Sequence, residues 1–188
     1  MARPKSDEKR RAILEAAARV IVAEGLGAST AGIAKAAGVA NGSLFTYFDT
    51  KTALLNALYL DIKGEIAAAA MRGLPEDAEL REQLFCMWRN WASWAVKYPA
   101  KRKALAQLAV SEEVSAKTRE KAHKLMAGLG GLMSQAIAKG AMRKADRGFV
   151  MGVMTSIAET TMDFMTADPK NAKKHCKDGF EAAWRMMG

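Results

Sequence analysis

The side chains of this sequence that could do chemistry are hydrogen-bond donors grouped in one short stretch, residues 29–51. Thr30, Asn41, Ser43, Tyr47 and Lys51 carry hydroxyl, amide and ammonium groups and lie between apolar residues at helical spacing. Hydroxyl and ammonium groups can donate to phosphate oxygens, and an asparagine amide can pair with the edge of an adenine. The chemistry that this stretch indicates is binding to a nucleic acid.

No other part of the sequence has the spacing of a catalytic or metal site. We find no nucleophile paired with a base and no phosphate-binding loop, and the glycine-rich run at 128–131 follows no strand pattern. Cys86, Cys176, His123 and His175 show neither a disulfide framework nor metal-ligand spacing, and we interpret His175 and Cys176 as structural. We therefore predict that the protein is not an enzyme and has no metal and no cofactor.

Two short helices joined at Gly38 would position the donor groups. The first is predicted over Thr30–Ala37, capped by Ser29 or Thr30, and the second from about Asn41 to Phe48. Glycine tolerates the left-handed backbone that ends a helix, so the chain can turn sharply between them. The apolar residues then form one small core, namely Ile33, Ala34, Ala37, Val39, Leu44 and Phe48. This pattern predicts a helix-turn-helix whose second helix enters the major groove, and the alternative is an ordinary helical pair in a bundle.

The pattern T-x-x-I-A-x-x-A-G-V-x-x-G-x-L-F-x-Y-F-x-x-K-x-x-L, which begins at Thr30, closely resembles the DNA-binding domain of TetR-family transcriptional repressors. A basic N-terminal arm precedes it, which either reaches the minor groove or is a frayed terminus. We predict contacts to double-stranded DNA from this arm and from the exposed positions of the motif, namely Arg3, Lys5, Ser29, Thr30, Ala40, Asn41, Gly42, Ser43, Thr46, Tyr47 and Lys51.

Composition favours an all-α protein. Half of the 188 residues are hydrophobic, methionine is abundant and only four prolines are present. The resemblance implies a TetR-like fold of about nine helices, with a three-helix DNA-binding domain at residues 1–50 and a helical effector-binding and dimerisation domain at 51–188. Boundaries are predicted at 7–24 with Ser6 as cap, 51–71, 76–96, 100–110, 111–138 with Ser111 as cap, 148–167 and 169–187.

The formal net charge of +9 suits an anionic partner. Residues 1–60 hold eight Lys/Arg and five Asp/Glu, so the charge of this segment alone does not single out the DNA-binding part. The longest uncharged run, residues 125–138, is too short to cross a bilayer and the N-terminus is charged. We expect a cytoplasmic protein without a membrane partner.

The last two helices carry apolar surface that could pair with a second copy in a two-fold, four-helix interface. We predict a homodimer that matches a palindromic operator, and the alternative is that both helices cover the internal core. The predicted dimerisation residues are Ile157, Thr161, Phe164, Phe180, Ala183, Trp184 and Met187.

A cluster of aromatic and methionine side chains is either solid core or the lining of a pocket, and the residues alone favour solid core. The match extends to the RamR-type repressors of enteric multidrug-efflux control, through MARPKS, STAGIAKAAGVANGSLF, NALYLDIK, YPAKRKALAQLAVSE, AETTMDF and GFEAAWR. This resemblance implies an effector pocket, whose positions here would be Tyr59, Lys63, Trp88, Met151, Met154 and Glu159, and we add Met87 from the cluster itself. Met151 and Met154 replace an aspartate and a phenylalanine of that subgroup.

The sequence thus predicts a ligand-released repressor that controls a multidrug-efflux gene or an activator of one. A small hydrophobic or amphipathic effector would bind the state that does not fit DNA more tightly and so shift the population. The alternatives are a DNA-binding dimer that has no effector, and an activator.

Overall fold

The computed structural model describes residues 3–187, and their side-chain surroundings from residue 6 onward. Over this range the chain is helical and contains no strand, which confirms the predicted all-α fold. The helices are α1 (Arg3–Glu24), α2 (Thr30–Ala36), α3 (Asn41–Tyr47), α4 (Lys51–Ala70), α5 (Leu80–Lys97), α6 (Pro99–Ala109), α7 (Ala116–Leu125), α8 (Ala127–Lys139), α9 (Arg147–Ala167) and α10 (Ala172–Met187), with a 3₁₀ turn at Pro169–Asn171.

The prediction of one helix over 111–138 is wrong, because the chain forms α7 and α8 there. Met126 leaves helical geometry, with φ −91° and ψ 4°, and separates the two helices. Ser111 does not cap α7. Residues 111–115 instead form a turn, and the backbone N–H of Thr118 donates to Ser115 Oγ at 3.2 Å. The described residues therefore contain ten α-helices where about nine were expected.

Two helix starts also differ from the prediction. Helix α1 already includes Arg3, so Ser6 lies within the helix and is not its cap. Helix α5 begins at Leu80 rather than at residue 76, because the Gln83 side chain holds the preceding turn. Its Nε2 donates to the carbonyl of Glu76 at 3.0 Å and to that of Ala78 at 2.8 Å.

The chain divides into two compact units, each described by itself. The first, the HTH unit, contains residues 3–64 and 98–124, and the second, the helical unit, contains 65–97 and 125–187. In the HTH unit α1 packs on both α2 and α6. Its fully buried side chains include Ile13, Leu14, Ile21, Ile33, Leu44, Leu54, Leu55, Leu58 and Leu108. The predicted boundary at residue 50 separates a DNA-binding part from an effector-binding part, whereas these two units are defined by compactness. The predicted boundary therefore stays a prediction.

The positive charge of the chain is concentrated in the HTH unit. That unit holds sixteen Lys/Arg and nine Asp/Glu, a net +7, and the helical unit holds thirteen and eleven, a net +2. Residues 98–124 supply seven of those cations against three acids. The charge of residues 1–60 alone does not show this excess, because residues 98–124 belong to the same unit only in the folded chain.

The core of the helical unit forms where α5, α9 and α10 meet. Phe180 of α10 lies 5.0 Å from Phe85 and 6.3 Å from Trp88, measured between ring centroids. The indole N–H of the buried Trp88 donates to the carbonyl of Cys176 at 3.0 Å. No helix among residues 3–187 combines the length and the hydropathy that crossing a bilayer requires.

Candidate nucleic-acid interface

The turn between α2 and α3 has the geometry that the sequence predicts. Ser29 caps α2, since the backbone N–H of Gly32 donates to its Oγ at 3.0 Å. Gly38 has φ +68°. The N–H of Val39 donates to the Ala34 carbonyl at 3.0 Å and that of Gly38 to the Lys35 carbonyl at 3.1 Å, which is the Schellman pair that closes a helix.

Helix α3 is held by a few apolar anchors beneath it. Ile33 and Leu44 are fully buried and Phe48 nearly so, while Ala37 and Val39 are half-buried. The Arg10 guanidinium lies over the Phe48 ring, 5.3 Å from its centroid. The predicted core of the motif is therefore present, and it fixes which face of α3 points outward.

The outward face carries the predicted contact residues. Ser29, Ala40, Asn41, Gly42, Ser43 and Thr46 are exposed, and Thr30, Tyr47 and Lys51 are half-buried. Thr50 caps α4, because its Oγ1 accepts from the backbone N–H of Ala53 at 3.0 Å, and this places Lys51 in the first turn. The exposed and half-buried polar residues of the motif therefore lie at the start of α2, along α3 and at the start of α4. The backbone of α1 includes Arg3 and Lys5, but their side chains lie outside the described range.

Sequence reasoning missed Phe45. It lies on α3 between Leu44 and Thr46, and 41% of its surface is exposed. An apolar residue next to a core leucine gives no sign of its direction, because the sequence alone does not fix the rotation of a helix as short as α3. The exposed ring adds an apolar surface to an otherwise polar face.

Comparison with known proteins agrees with this geometry. Residues 13–58 match the family model described as bacterial regulatory proteins, tetR family. A candidate tetR family transcription regulator from Shewanella sp. PV-4 superposes with a TM-score of 0.80 at 26% identity, over 95% of this chain and 97% of that chain. A TetR family transcription regulator from Marinobacter aquaeolei VT8 gives 0.81 at 21% identity, over 97% and 96%.

The fold is that of a TetR-family transcription regulator. LfrR from Mycobacterium smegmatis, a TetR-like regulator solved in complex with proflavine, shares it with a TM-score of 0.67 at 17% identity, over 94% of this chain and 95% of that chain. The residues that match the family model include the α2–α3 pair described above.

The predicted effector residues fall in both compact units. Tyr59 and Lys63 lie on α4 within the HTH unit, where Lys63 Nζ is 5.7 Å from the Tyr59 ring centroid. Burial lowers the pKa of Lys63 from its ordinary value. The others lie in the helical unit, where Met87, Trp88 and Met154 are buried and Met151 and Glu159 are half-buried.

The predicted dimerisation residues divide into two groups. Phe180, Ala183 and Met187 are buried in the core of their own unit, because that stripe of α10 faces α5 and α9, so we remove them from the interface. Thr161 is also buried, whereas Ile157 and Trp184 are half-buried and Phe164 is 57% exposed.

The surface of α9 and α10 that remains accessible to a second copy is a different one from the buried stripe of α10. It is an open groove with mostly apolar walls, lined by Ser156, Ile157, Thr160, Thr161, Phe164, His175, Asp178, Gly179 and Ala182. Phe164 and His175 are 5.6 Å apart between ring centroids, and His175 Nε2 lies 3.1 Å from Asp168 Oδ2. Hydrogen bonds from Asn171 and His175 lower the pKa of the Asp168 carboxyl.

Proposed function

We propose that this protein is a ligand-responsive transcriptional repressor that binds a palindromic DNA operator as a homodimer. The observation that carries the DNA-binding part is the exposed face of α3 above its buried Leu44 anchor. Asn41 and Ser43 would meet base edges, and Tyr47, Lys51 and the start of α2 would hold phosphates. The net +7 of the HTH unit supports an anionic partner.

The proposed dimer forms through the groove along α9 and α10. Phe164 leaves more than half of its surface in water, beside the apolar groove lining. A second copy related by a two-fold axis would cover this face and would place two α3 helices about one DNA turn apart, or a multiple of it. A palindromic operator follows from that symmetry.

The proposed effector is a small amphipathic or aromatic compound. LfrR shares the fold and was solved with proflavine, so this fold can hold a small molecule. Tyr59 and Lys63 lie on α4, the helix that begins at Lys51 beside the DNA-binding face. An effector bound there would shift α4, and with it α3, if it binds the altered state more tightly. The resemblance to RamR-type repressors supports control of a multidrug-efflux gene or of its activator.

Operator binding by matched variants tests the proposed interface. We expect Tyr47→Phe and Lys51→Ala to weaken binding to every DNA sequence, and Lys51→Ala to reduce the slope of log affinity against log salt by about one. Lys144→Ala, an exposed lysine of the helical unit, is the control and should leave both quantities unchanged. Unchanged binding by the first two variants would remove them from the interface.

A second candidate function is a DNA-binding dimer with no effector. The buried, hydrogen-bonded Trp88 and the buried Met87 and Met154 favour it, because they pack as ordinary core in the helical unit. A panel of amphipathic compounds separates the two functions. An effector-responsive protein shows a thermal shift and releases operator DNA with some member of the panel, and the effector-free dimer shows neither.

A further inference from the structure

Two cations share one aromatic ring in the HTH unit. Tyr59 is buried on α4, and Lys63 Nζ lies 5.7 Å from its ring centroid, one helical turn further along. Arg119 of α7 brings its Cζ to 6.0 Å from the same centroid. Both cationic side chains are half-buried, so each keeps a surface that a small molecule can reach.

The contacts that the structure describes for these two cations are with an aromatic ring and with neutral carbonyls. The contact of Lys63 is the Tyr59 ring, and Arg119 donates to two backbone carbonyls in addition to facing that ring. A ring face offsets part of the cost of burying a positive charge, but two like charges near one ring leave an uncompensated positive potential. The Lys63 ammonium is already disfavoured by burial. An anion at this position would compensate the two positive charges.

Arg119 also holds the end of α6. Its Nη1 donates to the carbonyl of Ala109, the last residue of α6, and its Nη2 to that of Ser111, each at 2.8 Å. A cation at this position satisfies carbonyls that a helix C-terminus leaves free. A carboxylate is a stronger partner for a guanidinium than two neutral carbonyls, because its charge is full and its two oxygens match the planar fork.

The segment that Arg119 holds is itself bound to α4. Asn56 Nδ2 donates to the Glu113 carbonyl at 2.6 Å, and Asn56 Oδ1 accepts from the backbone N–H of Ser115 at 3.0 Å. Thr52 Oγ1 donates to Glu113 Oε2 at 2.5 Å. The loop of residues 110–115 is therefore hydrogen-bonded to the first turns of α4. Thr52 is the neighbour of Lys51, so these bonds lie next to the proposed DNA-binding face.

We propose that Tyr59, Lys63 and Arg119 form the charged end of the effector site, and that they select an aromatic compound carrying an acidic group. This inference rests on the proposed effector-responsive function and specifies its ligand class. The acid pairs with Lys63 and draws Arg119 from the Ala109 and Ser111 carbonyls, while the apolar part of the ligand packs beside Tyr59. Loop 110–115 then loosens its grip on α4, and the DNA-binding face loses its fixed position.

Three probes of one shape and different charge test the ligand class, namely 2-naphthoate, 2-naphthamide and (2-naphthylmethyl)trimethylammonium. Titration calorimetry measures their binding to the full chain, and fluorescence anisotropy measures release of labelled operator DNA. We expect the naphthoate to bind at least about tenfold more tightly than the amide and to release DNA, since a charge-assisted bond replaces a neutral one. Equal or tighter binding of the amide or the ammonium compound would overturn the inference.

Three variants locate the site and separate binding from coupling. Lys63→Met and Arg119→Gln should each weaken naphthoate binding about tenfold or more while leaving naphthamide binding unchanged. Arg119→Gln also removes the contact to α6 and could unfold the protein. Lys63→Met does not touch that contact, so it tests the site independently. Asn56→Ala removes two of the bonds between the loop and α4, so it should bind naphthoate as the parent does, bind operator DNA more weakly without ligand, and need less naphthoate for DNA release. Naphthoate affinity that is unaffected by Lys63→Met overturns the site.

The failures of the inference and of the proposed function are distinguishable. If the amide or the ammonium probe releases DNA and the naphthoate does not, the charge assignment is wrong and the effector-responsive function stands. If the parent protein binds operator DNA but none of the three probes binds, both the acidic ligand class and the effector role proposed at Tyr59 are overturned. Arg119 is then only the cap of α6.

Discussion

Phe45 is an exposed apolar residue of α3, the helix that we propose binds DNA. Its neighbour Leu44 is fully buried, whereas Phe45 is 41% exposed, so the two substitutions should have different effects. We expect Phe45→Ala to lower operator affinity by about 1 kcal/mol through loss of an apolar contact to a base, such as a thymine methyl, with little change in Tm. Anisotropy with labelled operator DNA and thermal denaturation measure the two effects.

Phe149→Ala serves as the matched control, because Phe149 is 60% exposed and lies on α9 of the helical unit. It should change neither quantity. If Phe45→Ala lowers Tm as a core substitution does and leaves DNA binding intact, Phe45 is a packing residue.

Two glycines of the motif should respond differently to the same substitution. Gly38 has φ +68°, so Gly38→Ala should cost about 1–2 kcal/mol of folding free energy. Gly42 lies in α3, and a Cβ there meets nothing within 4 Å of the protein. Gly42→Ala should keep or raise the Tm and yet weaken DNA binding, because the added methyl group would stand on the proposed DNA-binding surface. A Gly42→Ala variant with parental operator affinity would place that surface away from the groove.

We expect the half-buried Lys63 side chain to lower the free energy of unfolding of the protein. Burial lowers its pKa below the ordinary value of 10.5, so the unfolded chain holds this proton more tightly than the folded protein does. Between the folded-state pKa and 10.5 the free energy of unfolding therefore rises with pH. We expect Lys63→Met to remove this rise and to stabilise the protein near pH 7 by about 1 kcal/mol.

Urea denaturation near pH 7 and near pH 10 measures this effect, with the exposed Lys144→Met as control. The same pH slope in Lys63→Met and in the parent protein would show that Lys63 is not responsible for it.

At the scale of the element, helices α9 and α10 cross at unusually short range. A Cβ on Gly179 would lie 2.0 Å from Thr161 Oγ1 and 2.9 Å from Thr161 Cβ. Gly179→Ala must push the helices apart, and we expect a loss of about 1–3 kcal/mol of folding free energy. Chemical denaturation measures the loss, and Gly179→Ala combined with Thr161→Ala should recover part of it.

Gly152 is the control for this crossing, because it also lies on α9 but a Cβ there meets nothing within 4 Å. Gly152→Ala should stabilise the protein by about 0.5–1 kcal/mol through helix propensity. A Gly179→Ala variant as stable as Gly152→Ala would show that α9 and α10 accommodate the added methyl group without loss of folding free energy.

The elements that sequence could predict are those with local signals. Ser29 and Gly38 mark the ends of α2 by capping chemistry, and the structure confirms both. The break at Met126 carries no such signal, since methionine is a good helix former and the glycines that follow lie inside α8. The apolar stripe on α10 was visible, but a stripe does not say whether its own chain or a second copy covers it. The core of the helical unit covers Phe180 and Met187.

At the scale of the whole molecule, two long-range facts were beyond the sequence. Residues 98–124 join the HTH unit and bring Arg119 to Tyr59, although sixty positions separate them. The same joining concentrates the positive charge in that unit. Neither follows from a local pattern, because both depend on which distant helices pack together.

The proposed dimer gives a prediction at this scale. Phe164→Asp places a charge on the exposed apolar rim of the α9–α10 groove, and we expect it to shift the protein from dimer to monomer and to weaken operator binding. Sedimentation velocity measures the shift, with Val110→Asp as the control for a charge at an exposed apolar site. A Phe164→Asp protein that sediments as the parent does would exclude this face.

The central claim is that the exposed face of α3, presented twice by a two-fold dimer, reads a palindrome. Footprinting of the purified protein on the DNA flanking its own gene tests it most directly. The account predicts two protected half-sites related by two-fold symmetry, with centres about one helical turn apart or a multiple of it, and loss of both in Lys51→Ala at moderate salt. Protection of no palindrome, or protection that Tyr47→Phe and Lys51→Ala leave unchanged, would contradict it.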